Sequence, residues 1–272
     1  MSDEFLSPEE NGEALAKLQS SMKTEFPIIE PGRDNLVNLP GGFLRKGEVV
    51  RKATVRELTG EDEELLAKAN RSGNMYHFIN TLLNCGVEDI DKSTLETMLI
   101  GDRDALLLGI RTATFGQEIE FAFVCPFCDG ATDLEFDVND IPVKTLTDPA
   151  AEREFDVELK RGRKARVRMA NGADQIVVTE KEGLTVPERD SILLSRCVLS
   201  LTDKDGTETN VAAFPSVVRK LSIPDRQKLL EEIVSSQPGP KLDEINFEHE
   251  ACGNEVTLDF GLGDLFPGIA KR

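Results

Sequence analysis

Two stretches decide how this chain reads: Glu118-Ile-Glu-Phe-Ala-Phe-Val-Cys125-Pro-Phe-Cys128-Asp-Gly-Ala-Thr-Asp-Leu-Glu-Phe136 and, far downstream, Glu244-Ile-Asn-Phe-Glu-His249-Glu-Ala-Cys252-Gly-Asn-Glu-Val-Thr-Leu-Asp-Phe260. In the first, Ile119, Phe121 and Phe123 alternate with other residues up to Cys125, and Leu134, Phe136 and Val138 alternate again beyond Cys128. A period of two on each side of a short turn predicts strand, turn and strand. In the second, Ile245, Phe247 and His249 alternate in the same manner, and Cys252 follows His249 at the spacing that separates Cys128 from Cys125. After each pair the chain turns, at Asp129-Gly130 or Gly253-Asn254, and enters a new strand.

A structural zinc ion takes four sulfur or nitrogen ligands in a tetrahedron, and two residues separated by two others on a tight turn can both face one ion. Cys125, Cys128, His249 and Cys252 therefore form one candidate site, two knuckles of a single zinc ribbon with a long insertion between them. Four protein ligands close the coordination shell, so the ion would be structural and would contribute roughly 10 kcal/mol or more of folding energy. A redox role for Cys125 and Cys128 is disfavoured because the pair sits between strands, whereas reactive thiolates gather at a helix start. Cys85 and Cys197 read as small buried apolar residues, and His77 as a packing residue without an acid or nucleophile beside it.

Working outward, 39% hydrophobic and 30% charged residues describe a globular chain. No apolar run approaches the roughly 20 residues of a membrane-spanning helix. The acidic start, Met1-Ser-Asp-Glu4, is followed by no apolar segment, so no signal peptide is expected. Five cysteines, an odd number, suit a reducing compartment better than a disulfide framework. A net charge of -18, with no Trp and one Tyr, argues against nucleic-acid partners and for protein ones.

Residues 1–42 read as an N-terminal arm, opened by the capping box Ser7-Pro-Glu-Glu10 and a short helix, then broken by Pro27, Pro31, Gly32 and Pro40. A body over 43–272 follows, with zinc-ribbon portions at 118–140 and 243–260 and a largely helical and hairpin insertion at 141–242. A strand or hairpin is expected over 43–58, and Thr59 should cap a helix whose first turn carries Glu61, Asp62, Glu63 and Glu64. Phe78, Ile79, Leu82 and Leu83 predict a helix ending at Cys85-Gly86; Asp102 should cap another that carries Leu106, Leu107 and Ile110.

A hairpin is expected at Phe155–Met169 with its turn at Gly162, Lys160, Lys164, Arg166 and Arg168 forming a basic face suited to an acidic neighbour. From Asn171 to Ser236 the pattern returns to helices, with the box Thr185-Val-Pro-Glu188, a stripe of Ile192, Leu193, Cys197 and Val198, and a further helix from Pro224. The fold class is thus α+β: a helix-rich body with β-hairpins and a zinc-ribbon-like subdomain closed by two distant knuckles. No nucleophile elbow, phosphate loop or dinucleotide motif is present, and Gly261-Leu-Gly263 lacks the helix such a site needs. No catalytic residues, organic cofactor or small-molecule substrate are expected.

Three segments carry a family resemblance: Arg51-Lys-Ala-Thr-Val-Arg-Glu-Leu-Thr-Gly60, Leu99-Ile-Gly-Asp-Arg-Asp-Ala-Leu-Leu-Leu-Gly-Ile110, and the Cys125–Cys128 knuckle. Together they resemble the T-even phage baseplate hub family of contractile-tailed phages. The likeness runs from about residue 43 to the end and includes Gly172-Ala-Asp-Gln175 and the closing Gly263-Asp-Leu-Phe266. Members of that family typically carry a second Cys-x2-Cys-Gly knuckle; here His249 stands at its first cysteine, a change zinc tolerates. The resemblance implies a structural role in a tail baseplate or its central hub. It further implies synthesis and assembly in the bacterial host cytoplasm, a place in the virion, and contacts with other tail proteins or further copies of the chain. A tail assembly chaperone absent from the particle is the alternative reading. A zinc-ribbon adaptor for transcription or nucleic acid is a third, opposed by the acidic residues around both knuckles.

Overall fold

The computed structural model describes residues 35–179, 183–242, 245–257 and 265–266. The helix expected from Ser7 lies outside them. What is described is α+β, as the residue pattern requires, with antiparallel sheets and helices around two apolar clusters.

The first hairpin pairs β1 (Leu36–Arg45) with β2 (Glu48–Thr54) through a turn in which Lys46 and Gly47 both have positive φ. Such a turn matches the right-handed twist of the strands it joins. β1 begins at Leu36 and so runs through position 42, where the sequence suggests that an arm gives way to the body. Pro40, Gly41 and Gly42 read as breakers, yet the register shift between Asn38 and Phe43 places them in a bulge, where Pro is tolerated. Thr59 caps α1 (Gly60–Asn70) by a full capping box with Asp62. Burial alone would raise the Asp62 carboxyl, but Arg56 at 2.7 Å and the Thr59 N–H and hydroxyl draw it down to about 2.

Next come α2 (Met75–Gly86), capped by Asn74, and α3 (Lys92–Thr97), capped by Asp91. Helix α4 (Ile100–Phe115) begins at an N-cap, Leu99, that makes no side-chain cap bond. Asp102 therefore caps nothing. Leu99 bridges Asn171 through its backbone, which starts the helix early and leaves Asp102 fully buried in the first turn. There its Oδ1 accepts the Gly41 N–H at 2.6 Å, pinning the β1 bulge. Leu39, Leu66, Phe78, Leu82, Leu106 and Ile110 form the centre of the first cluster.

After α4 the chain makes the hairpin β3 (Glu118–Val124) and β4 (Ala131–Asp137). Two short strands, β5 (Val143–Lys144) and β10 (Gly239–Pro240), then bracket a second unit of packing. Gly101 lies against this bracket: a Cβ there would come 1.6 Å from the Pro238 carbonyl oxygen, so only glycine fits.

The bracketed segment holds an antiparallel sheet in the order β6 (Glu154–Glu158), β7 (Lys164–Arg168), β8 (Val198–Thr202), β9 (Glu208–Asn210). Helices α5 (Gly172–Thr179), α6 (Val186–Cys197) and α7 (Ile223–Ser236) accompany it. The expected turn falls at Arg161-Gly162, both at positive φ, and the capping box at Thr185 is formed. Strands β8 and β9 correct the all-helical reading of 171–236. Val198 opens β8, pairing with Val167, and the buried helical positions of α6 are Leu194 and Cys197. The basic face expected on β7 is also corrected, because the register sets Glu154, Asp156 and Glu158 opposite Arg168, Arg166 and Lys164. Arg168 itself reaches Asp174 at 2.7 Å, and Arg196 reaches the same buried carboxylate at 2.6 Å.

Asp174 also accepts the Asn171 N–H, and its arginine partners hold its carboxyl below the usual range against the opposing effect of burial. Truncating it strands two partly buried guanidinium groups. Asp174→Ala should cost about 3–5 kcal/mol in urea unfolding, whereas Arg166→Ala on the exposed ladder should cost about 1 kcal/mol or less; equal losses would refute the distinction. The depressed Asp62 carboxyl stabilises the fold above its unfolded value of about 3.9, and that contribution fades as pH falls toward 2. Acid titration of stability should accordingly be flatter in Asp62→Asn across this window.

Candidate metal centre

Strand β3 ends by delivering Cys125, the turn brings round Cys128, and β4 leads away. A second hairpin, β11 (Asn246–Glu248) with β12 (Glu255–Thr257), delivers His249 and Cys252 in the same way. The two turns are built alike. In the first, the Cys125 carbonyl accepts the Asp129 N–H at 2.9 Å and the Cys125 N–H donates to the Gly130 carbonyl at 2.9 Å. In the second, the His249 carbonyl accepts from Gly253 at 2.8 Å and the His249 N–H donates to Asn254 at 2.9 Å. Asp129 and Gly253 take the matching positive φ, 55° and 68°. Asp is one of the few non-glycine residues that adopts this conformation readily.

Phe123 and Phe247, at equivalent places before the first ligand of each turn, meet edge to face at 5.4 Å between ring centres. That geometry is the favoured one for aromatic pairs. It sets the hairpins against each other so that the ligand atoms of Cys125, Cys128, His249 and Cys252 all lie within 4.8 Å of one another, close enough to share one metal ion. The Cys125 and Cys252 sulfurs are 3.8 Å apart; His249 Nδ1 is 3.5 Å from the Cys128 sulfur and 3.2 Å from that of Cys252. Cys125 and His249 are buried, Cys252 is half-buried and Cys128 is exposed.

The electrostatics favour a thiolate at one position in particular. The Asn254 backbone N–H, with His249 and the Asn254 side chain at 3.3 Å, draws the Cys252 thiol down to about 6. At Cys128 the Gly130 N–H pulls the same way, but slight desolvation and the neighbouring Cys125 and Cys252 thiols hold it above its ordinary value. Crowding of this sort is what a cation would relieve, since each bound thiolate gives up its proton.

All four residues singled out from sequence spacing are thus brought together. Cys85 and Cys197 stand apart, Cys197 buried as expected and Cys85 only half-buried, their thiols pushed up by desolvation to about 12 and about 11, and His77 is exposed on α2. One residue escaped the sequence reading. Thr132 Oγ1 lies 2.7 Å from His249 Nε2, the ring nitrogen turned away from the sulfurs. The available signal was modest: Thr132 falls on the inward side of β4 with Leu134 and Phe136, where a polar residue needs a partner.

The model of the T4 bacteriophage base plate protein family matches residues 43–267, a span that includes both knuckles, the Gly101-Asp102 contact and Asp174. No curated protein and no solved structure matches the chain. The family match covers most of the sequence, and the chain belongs to the T4 bacteriophage base plate protein family.

Proposed function

We propose that this chain is a structural component of a phage tail baseplate or its central hub, acting in tail assembly and held together by a structural zinc ion on Cys125, Cys128, His249 and Cys252. The observation that carries the reading is the family match over residues 43–267. The zinc assignment rests on geometry. At Zn–S of about 2.3 Å and Zn–N of about 2.0–2.1 Å, a tetrahedron has S···S edges of about 3.8 Å and S···N edges of about 3.5 Å. Separations of 3.8 Å for Cys125 to Cys252 and of 3.5 Å and 3.2 Å for His249 to Cys128 and Cys252 lie near those edges. Three thiolates and an imidazole also favour a thiophilic ion over calcium or magnesium, which prefer oxygen ligands. The ion would supply cross-linking between hairpins and no open coordination position for substrate. A role without catalysis follows, made in the host cytoplasm and carried in the virion.

A surface feature supports contacts with neighbouring proteins. On β6 and β7, opposite charges face each other across the strands, but on β3 and β4 the register sets Glu118 opposite Asp137 and Glu120 opposite Glu135. Like charges directly opposed are destabilising. An adjacent tail protein with a basic face would relieve that repulsion, and a chain of net charge -18 makes further copies of itself poorer partners there. The same acidity disfavours nucleic acid. No helix of the described residues is long and apolar enough to cross a membrane.

The competing role, a chaperone that leaves the particle, predicts the opposite distribution. Mass spectrometry of purified virions should find this polypeptide; abundance in lysate with absence from particles would establish the chaperone reading instead. The isolated protein should contain one zinc per chain, and strong chelation should lower its thermal midpoint. Cys125→Ser or His249→Ala should lose the metal and fail in tail assembly. A fold unchanged by complete metal removal would defeat the structural role of the ion.

A further inference from the structure

We propose that Gly130 and Thr132 form a histidine-specific seat for His249, and that Thr132 is the positioning residue fixing which ring nitrogen faces the metal. The inference rests on the zinc-clasp reading above and adds the reason that one ligand can be histidine.

His249 is only 1% exposed, so both its ring nitrogens must be satisfied inside the protein. Nδ1 points at the sulfurs of Cys128 and Cys252, and Nε2 at Thr132 Oγ1, 2.7 Å away. A neutral imidazole carries one N–H. For Nδ1 to offer a lone pair to the ion, the proton must sit on Nε2, and Thr132 Oγ1 is placed to accept it. Gly130 makes room for the ring: a Cβ there would lie 3.3 Å from His249 Cε1 and 3.3 Å from the Cys128 sulfur.

The approximate symmetry of the two turns shows that this arrangement is specific to the histidine. Thr132 stands opposite Phe123 in the first hairpin, and the equivalent place, opposite Phe247 in the second, is Val256. Likewise the counterpart of Gly130 is Asn254. The first hairpin offers a small residue and a hydroxyl toward the other hairpin's leading ligand, which is His249. The second offers a larger residue and an apolar one, and the leading ligand of the first hairpin is Cys125, which has no second nitrogen to satisfy. The departures from symmetry in the supporting residues therefore follow the departure in the ligands.

The test is a double-mutant cycle on the full chain, with Zn2+ affinity read by competition against a chromophoric chelator. Thr132→Val should weaken Zn2+ binding by about ten- to a hundredfold in the native sequence and leave affinity nearly unchanged when combined with His249→Cys. Thr132→Ser, which keeps the hydroxyl, should retain native affinity. Equal loss from Thr132→Val in both backgrounds, or no loss in the native one, would overturn the seat while leaving the clasp intact. A native chain that binds no Zn2+ in the same titration would overturn both. Should Thr132→Val not fold, the ring nitrogen resonances of His249 in the native zinc-loaded protein decide: a proton on Nε2 supports the seat, and a proton on Nδ1 refutes it.

Discussion

Three thiols and an imidazole lie within 4.8 Å of one another, and in the proposed clasp they are the constraint that joins two hairpins distant in sequence. The second of the hairpins that carry them is slight: among the described residues, β11 and β12 span three residues each and pair only with one another. Two-stranded ribbons of that size are marginal in water at best. The Phe123–Phe247 contact, the Thr132–His249 hydrogen bond and the clustered candidate ligands join one hairpin to the other. In the proposed clasp, the ion links chain segments separated by over a hundred residues, so its binding energy doubles as the energy that closes the intervening loop.

Elsewhere in the molecule the joining of distant segments is carried by charge and close packing. Asp174 gathers Arg168 and Arg196 from different elements, Asp102 reaches back to Gly41, and Gly101 admits the Pro238 carbonyl against the start of α4. None of these groups sits among the candidate ligands. They explain in physical terms why the Leu99–Ile110 stretch has the composition it has: a glycine where backbone meets backbone, then an acid where a bulge needs an acceptor.

Much of this was legible in the sequence because the signals are local. Strand alternation ending in paired Cys or His residues marked the knuckles, Thr185 announced its helix through a box complete within four residues, and Thr59 did so as a cap before an acidic first turn. Where reading failed, the deciding partner was distant. Asp102 looks like a cap by its neighbours, yet its hydrogen-bond partner, Gly41, lies 61 residues away. Val198 continues the apolar spacing of α6, and only pairing with Val167 makes it a strand. The basic residues of β7 look like an open surface until the register places acids opposite them. Thr132 is an ordinary strand residue whose use depends on a ring 117 positions downstream.

The bracket formed by β5 and β10 has a wider consequence. Val143 pairs with Pro240 and Lys144 with Gly239, so the chain enters and leaves the four-stranded unit at one place. A segment whose two ends meet side by side can take up changes of loop length away from that junction without displacing it.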